Sequence, residues 1–326
     1  MPKTRFVATA LAVLLSMWAF ADQPPPGAPG GTAAGVPPQG RGERGRGGRG
    51  GPARARTRKG VLAWADTRNG IAQHDSVSHA LAVIERLGYE SGTYDTYIRT
   101  DSNIVAKQPL TTTGAPASGG PSLANVDAIF FLGHREVALE PQQRTELAAF
   151  VRDEGKGFVA AHTALNAFES WPEFGELLGG RYDDHPWNVA SGTVINEDPS
   201  FPATKHFAAS FPFVDEFYQT KEFSRDKLRV LLRLDVSKMP PSPQLRRADR
   251  DLPLAWAKMY GKGRVFYSSL GHAAETWDNR DIAQMYFEAI KWSLGLTQGD
   301  ATPRPMPATD PAAAGPSRRG AVSPAP

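Results

Sequence analysis

Short apolar runs alternate with helical repeats along the first half of the folded region. The runs have the length of buried strands, and the segments between them repeat apolar residues every three or four positions, as helices packed on one face do. Strands are predicted at residues 60–65, 89–97, 128–132 and 155–161, and helices at 76–88, 141–151 and 166–178. This order predicts an α/β fold with a mostly parallel sheet that helices cover on both faces.

The pattern is less regular after residue 179. Strands are predicted at 193–196 and 229–234, and a hairpin at 254–268 with a three-residue turn at 261–263. A last amphipathic helix is predicted at 280–294. Gly88 and Gly295 are expected to end the helices that precede them, because glycine adopts the left-handed conformation of a helix end without strain.

The two ends of the chain differ in composition from the part between them. Residues 1–21 combine two basic residues, a short apolar run and an Ala-Phe-Ala exit, which favours a cleaved secretory signal peptide over a retained membrane anchor. Residues 22–59 and 297–326 consist largely of Pro, Gly, Ala and Arg, and such segments bury too little apolar surface to fold. We therefore expect export to the periplasm or the cell exterior and no stable membrane span after cleavage. The expected parts are a disordered linker at 22–59, one domain at 60–296 and a disordered tail at 297–326.

The composition argues against several functions. The chain has no cysteine, which removes thiol catalysis and thiolate metal sites. The net charge of +3 comes from the arginine-rich linker, so the folded domain itself is acidic. The Arg-Gly-Gly sequence of the linker is typical of RNA-binding segments, but behind an export signal it favours a basic spacer near an anionic envelope. We therefore expect no nucleic-acid partner.

One stretch, residues 155–164, forms the centre of the predicted site. It begins with a glycine turn, continues as an apolar strand and places His162 between small residues. In a nucleophile elbow, a strand turns sharply into a helix in this way and lifts one side chain clear of the sheet. The pattern predicts that His162 lies at a functional site. A histidine merely packed in a turn is the alternative.

Further polar side chains are expected at the same edge of the sheet, because the carboxyl ends of parallel strands meet there. His74, His134 and His272 follow predicted strands, while His185 and Glu216 lie in loops that can fold over this edge. Imidazoles and a carboxylate suit general acid–base catalysis, since imidazole exchanges protons near neutral pH. They equally suit a divalent metal ion.

The sequence leaves the choice between these two chemistries open. No H-x-x-x-H or HExxH spacing occurs, so a metal ion would need ligands from distant loops. The metal-ligand candidates are His162, His185 and His272. Aromatic side chains can form a flat surface on which a sugar ring stacks. The candidates are Trp171, Trp187, Tyr218, Trp256 and Trp277, and Trp187 is preferred because it follows His185 in a loop. Tryptophan side chains also pack in protein cores, and burial in the core is the alternative for each of these aromatic residues.

Six segments together resemble the ThuA-like (trehalose utilisation) domain family. Residues 155–164 are similar to its glycine-rich strand and GxH[ST]A turn, and residues 178–186 (LGGRYDDHP) to its LGGxFxxHP segment. Residues 215–218 (DEFY) resemble its DE-x-Y motif, and residues 253–256 (PLAW) and 263–272 (GRVFYSSLGH) resemble its P-x-x-W … GRVFYTxLGH ending. Residues 73–76 (QHDS) resemble its F-R-H-x-S segment, although this chain has Ile-Ala-Gln before the histidine where an aromatic residue and Arg are usual.

This resemblance covers residues 60–296 and implies a flavodoxin-like, class I glutamine amidotransferase-like three-layer sandwich. It implies that His162 replaces the amidotransferase cysteine, so glutaminase activity is not expected. It also implies a role in the use of trehalose and related glycosides, through 3-keto-sugar intermediates. The positions that match its motifs are His74, His162, His185, Glu216 and His272.

The resulting hypothesis is an exported enzyme that acts on a carbohydrate or an oxidised sugar, by isomerisation, hydration or elimination, or hydrolysis next to a carbonyl. The catalytic candidates are His162, His272 and Glu216. The substrate-binding candidates are His74, His185, Trp187 and Tyr218. A carbohydrate-binding or regulatory module without catalysis is the alternative, and the oligomeric state stays open.

Overall fold

The computed structural model describes residues 58–307, except residues 112, 114, 118, 119, 137 and 138. The predicted signal peptide, nearly all of the predicted linker and the end of the predicted tail lie outside these residues. Within the described residues, no helix is both long enough and apolar enough to cross a membrane.

Eleven strands and five helices follow one another in the described part of the chain. The strands are β1 (Lys59–Trp64), β2 (Tyr94–Arg99), β3 (Ala128–Phe131), β4 (Gly157–Ala161), β5 (Arg181–Asp184), β6 (Val189–Asn196), β7 (Ser210–Glu216), β8 (Gln219–Lys221), β9 (Arg229–Leu234), β10 (Pro253–Tyr260) and β11 (Gly263–Ser268). The helices are α1 (Ser76–Ser91), α2 (Pro141–Arg152), α3 (Pro172–Leu178), α4 (Ala274–Asp278) and α5 (Arg280–Ser293).

Nine strands form one sheet in the order β2-β1-β3-β4-β11-β10-β9-β6-β7. The first five of these strands are parallel to one another, and every later neighbour is antiparallel. Because the antiparallel strands alternate in direction, β7 points the same way as β4 and β11. The carboxyl ends of these three strands therefore lie at the same edge of the sheet.

Two apolar cores lie on opposite faces of the sheet. Alternate residues of β1 point to opposite faces, as the pleat requires: Val61 and Ala63 pack with α1 and α5, whereas Leu62 and Trp64 pack with α2 and α3. The chain is thus a three-layer α/β sandwich, and the predicted fold class is confirmed.

The first helix extends past its predicted end. Gly88 does not terminate α1, which continues to Ser91 and ends at Gly92 with a φ of 66°. Gly88 serves packing instead, because a Cβ atom there would lie 2.3 Å from the Tyr94 ring. The second strand accordingly starts at Tyr94 and not at residue 89.

The helix predicted at 166–178 is wrong over its first half. A 3₁₀ turn occupies His162–Asn166, and α3 starts only at Pro172. Phe168 between them has a φ of 53°, and its amide donates to the carbonyl oxygen of Arg135. This bridge to the segment after β3 replaces the helical hydrogen bonds that the prediction assumed.

Two boundaries also differ from the prediction. The hairpin β10–β11 turns over two residues, because Tyr260 pairs with Gly263. At the other boundary, the chain stays packed beyond residue 296. The Trp292 indole donates to the Gly299 carbonyl oxygen, and Asp300 lies 2.6 Å from an Arg229 guanidinium nitrogen. Polar contacts hold this segment, so no apolar pattern marked it in the sequence.

Candidate active site

His162 lies directly after β4, in a left-handed backbone conformation with a φ of 41°. Its side chain is 0% exposed. A non-glycine residue in this region is strained by about 1–3 kcal/mol, and surrounding contacts must hold it there. The Tyr267 hydroxyl in β11 does so by donating to the His162 carbonyl oxygen at 3.0 Å. The sharp turn predicted after this strand is thus held in place by the neighbouring strand.

A second contact from the same strand region orients the His162 ring. Nδ1 lies 2.6 Å from the carbonyl oxygen of Ser269, and a carbonyl oxygen can only accept, so Nδ1 carries the proton. Nε2 therefore presents a lone pair. It accepts from the Tyr218 hydroxyl at 2.9 Å, and the Tyr218 ring stacks on the imidazole at 4.4 Å.

Three more side chains surround this lone pair. His162 Nε2 lies 3.2 Å from His272 Nδ1 and 3.4 Å from Glu216 Oε2, while His272 Nδ1 lies 3.2 Å from the same Glu216 oxygen. The His74 ring lies edge-to-face with His162 at 5.2 Å and with His272 at 4.7 Å. One ligand atom from each of the four lies within 4.8 Å of all the others. We call this set the histidine centre: His74, His162, Glu216 and His272.

The charges of the centre balance one another. Burial opposes ionisation of Glu216, but the adjacent imidazoles of His162 and His272 outweigh it and hold the Glu216 pKa well below its usual range. The hydrogen bond that His272 donates to Glu216 in turn raises the pKa of His272. Burial, together with the neighbouring imidazoles, lowers the pKa of His74 to about 4. These contacts therefore favour an ionised Glu216, make His272 easier to protonate and keep His74 neutral at neutral pH.

Asp215, a residue that sequence reasoning assigned no role, holds two members of the centre in position. It is 2% exposed, and its carboxylate accepts from the amides of Glu216 at 2.8 Å, Gly271 at 2.9 Å and His272 at 3.1 Å. Burial raises the pKa of this carboxyl group. Its position beside Glu216 in the DE-x-Y motif was the signal available in the sequence.

The other predicted residues lie around the centre rather than in it. His185 Nε2 approaches Glu216 Oε1, the oxygen that faces away from His162, at 3.6 Å, and the His185 side chain is 35% exposed. The His134 ring lies 5.4 Å from that of His74. Trp187 donates its indole N–H to the Pro240 carbonyl oxygen and packs against the core while its side chain stays partly exposed.

A cavity of about 460 Å³ opens beside the centre. Two short segments line it, residues 72–75 after β1 and residues 272–275 after β11. Both His74 and His272 belong to its wall, and so do the carboxyl groups of Asp75 and Glu275. A polar cavity of this size beside a cluster of titratable groups is where a small polar molecule would bind.

A family model described as trehalose utilisation, ThuA, matches residues 60–293. The chain belongs to the ThuA family. The segments that resemble the family in sequence include those that supply the histidine centre of this ThuA-family protein. No curated protein matches the sequence significantly.

Two solved structures support the fold. A ThuA-like protein from Bacteroides uniformis is 21% identical, with a TM-score of 0.57 over 75% of this chain and 95% of that chain. A ThuA-like protein from Parabacteroides merdae is 16% identical, with a TM-score of 0.54 over 76% of this chain and 98% of that chain. At these identities the likeness of this ThuA-family protein to its neighbours shows the fold alone.

Proposed function

We propose that this ThuA-family protein is an exported enzyme that moves a proton next to the carbonyl group of an oxidised sugar. The observation behind this proposal is the histidine centre, which gathers three imidazoles and a carboxylate and contributes two of the imidazoles, His74 and His272, to the wall of a polar cavity. Isomerisation and elimination both begin with this proton transfer. The family's association with trehalose utilisation supports a carbohydrate as the substrate.

The residues divide into two roles. The histidine centre binds the carbonyl oxygen of the substrate and stabilises the negative charge that develops there when the neighbouring C–H bond breaks. His185 accepts the proton, because its imidazole lies beside the centre and remains partly open to solvent. The Glu216 carboxylate links the two roles, since one oxygen faces His162 and His272 and the other faces His185.

Deuterium exchange tests the proposed chemistry. The purified protein is incubated in D₂O with glycosides and their 3-keto forms, and nuclear magnetic resonance follows deuterium incorporation at the carbon next to the carbonyl. We expect incorporation with the wild type and at least a ~100-fold loss with His162→Ala or His185→Ala, as removal of a general base or a charge-stabilising group produces. Stabilisation by a sugar that survives His162→Ala, without exchange or product, would instead identify a carbohydrate-binding module.

Export is tested separately. The predicted signal peptide ends at Ala21, so mass spectrometry of protein recovered from outside the cytoplasm should find a chain that begins at Asp22. A chain that retains Met1 and stays with the membrane would show a retained anchor.

A further inference from the structure

We propose that the histidine centre binds one divalent transition-metal ion. Three of its ligand atoms, His162 Nε2, His272 Nδ1 and Glu216 Oε2, form a triangle with sides of 3.2, 3.2 and 3.4 Å. A metal ion holds nitrogen and oxygen ligands at about 2.0–2.2 Å, which places neighbouring ligand atoms about 2.8–3.1 Å apart in an octahedral shell and about 3.3–3.6 Å apart in a tetrahedral one. The triangle therefore has the dimensions of one face of a metal's coordination shell, as in centres with two histidines and one carboxylate.

Hydrogen bonding within the protein accounts for only part of this arrangement. A proton on His272 Nδ1 explains its contact with Glu216, and the Tyr218 hydroxyl satisfies the lone pair of His162. The His74 ring, however, makes no hydrogen bond or ion pair with any residue that the structure describes. It lies edge-to-face with His162 and His272, within reach of the same point. A metal ion at that point gives His74 a partner.

The surroundings of the triangle match those of metal ligands in other proteins. Histidines that bind metal ions usually donate their second ring N–H to a carbonyl or carboxylate oxygen, which fixes the ring and its tautomer. His162 Nδ1 does this with the Ser269 carbonyl oxygen, so Nε2 is held as a ligand. Asp215 fixes the backbone of the other two members by accepting from the amides of Glu216 and His272.

The ligand set indicates the class of metal, and the position of the ligands indicates where the ion's free coordination positions lie. Three imidazole nitrogens and one carboxylate oxygen, without any thiolate, suit Zn²⁺, Fe²⁺, Co²⁺ or Ni²⁺ better than Ca²⁺ or Mg²⁺. His74 and His272 both line the cavity, so the remaining coordination positions face it. A carbonyl oxygen and an adjacent hydroxyl of a sugar can occupy these positions, and the ion would then polarise the carbonyl as a Lewis acid.

The geometry separates the ligands from their neighbours. His185 was a metal candidate in the sequence, yet it approaches only Glu216 Oε1 and lies outside the set of four. His79 lies elsewhere and pairs with Asp278 at 2.8 Å. Replacing His185 or His79 should therefore leave the affinity for the metal unchanged, whereas replacing His74 should lower it.

Metal analysis of the purified full chain tests this inference. The protein is stripped with a chelator and dialysed, and Zn²⁺ and Co²⁺ are then titrated by calorimetry and by the visible spectrum of bound Co²⁺. We expect one ion per chain for the wild type, His185→Ala and His79→Ala, weaker binding for His74→Ala, and none for Glu216→Gln. His74 is only partly buried, so its replacement tests ligation without emptying the core; circular dichroism checks that each variant is folded.

The outcomes are distinct from those of the proposed function. Binding of less than one ion per chain by the folded wild type, or equal binding by His74→Ala and His79→Ala, would overturn the metal site. A bound ion without deuterium exchange would leave the site intact and remove the proposed reaction. Exchange that persists at full rate after the metal has been stripped would leave the proposed reaction intact and overturn the role of the ion as its Lewis acid.

Discussion

Replacing Asp215 with Asn tests whether the centre depends on a residue that does not belong to it. The carboxylate has two oxygens: Oδ1 accepts from the amides of Glu216 and His272, and Oδ2 accepts from the amide of Gly271. An Asn side chain that keeps its oxygen in the Oδ1 position places an NH₂ group against the Gly271 amide. One buried charge-assisted hydrogen bond, about 1.5–3 kcal/mol, is lost, and one buried N–H is left unpaired at about 1–3 kcal/mol.

Relief from burying a charge offsets part of this loss, because burial already raises the pKa of Asp215. We therefore expect Asp215→Asn to lower the free energy of unfolding by about 3 kcal/mol, which is about 6–12 °C in Tm for a domain of this size. We also expect metal affinity to fall by about 10–100-fold, as it does when residues behind metal ligands are replaced.

Urea unfolding measures the first effect, and calorimetric titration of the stripped protein measures the second. Asp226→Asn is the matched control, because Asp226 is exposed and does not contact the centre. If Asp215→Asn unfolds at the same urea concentration as the control and binds the ion equally well, Asp215 does not position the centre.

Three further predictions concern single positions. Burial lowers the pKa of Lys258 to about 8, so the unfolded chain binds its proton more tightly between pH 8 and 10.5; the free energy of unfolding of the wild type minus that of Lys258→Met should rise across this range by up to about 3 kcal/mol, since the buried tyrosines affect both proteins alike. Gly88→Ala should cost about 1–3 kcal/mol in urea unfolding, because its Cβ atom meets the Tyr94 ring at 2.3 Å, and should exceed the cost of Gly92→Ala, where only the backbone is strained. His162→Gly should unfold at a higher urea concentration than His162→Ala, by about 1 kcal/mol, since both lack the ring but only glycine adopts a φ of 41° freely. A Lys258 profile that is flat in pH, or a reversed order within either pair, would refute the corresponding argument.

The central parallel strands β1, β3 and β4 were predictable because they are buried on both faces. Apolar runs such as the one at 128–132 have no other stable place in a chain of this kind. The end of α1 was not predictable, since Gly88 and Gly92 look alike in the sequence. Only the packing of Tyr94 distinguishes the glycine that makes room for a ring from the one that ends the helix.

The site was predictable where it follows from sheet topology. The rule that ligands bind at the carboxyl ends of parallel strands placed His162 and His272 together, because β4 and β11 are neighbours. It did not distinguish His74, whose ring contacts the other imidazoles, from His185, which approaches only the Glu216 carboxylate. Nor did it show that Trp187 uses its indole N–H within the fold. These differences depend on side-chain direction, which neither residue type nor spacing determines.

Glu216 raises a separate question, because it comes from the far edge of the sheet. Three strands, β10, β9 and β6, separate β7 from β11 in the sheet order, yet the Glu216 carboxylate reaches His272. The connection is Asp215, whose carboxylate binds the amide of Gly271 in the segment after β11. Curvature of the antiparallel half must bring the end of β7 back to the parallel half, and this buried carboxylate holds the two together. The antiparallel strands therefore do more than extend the core, since they deliver the one carboxylate of the histidine centre.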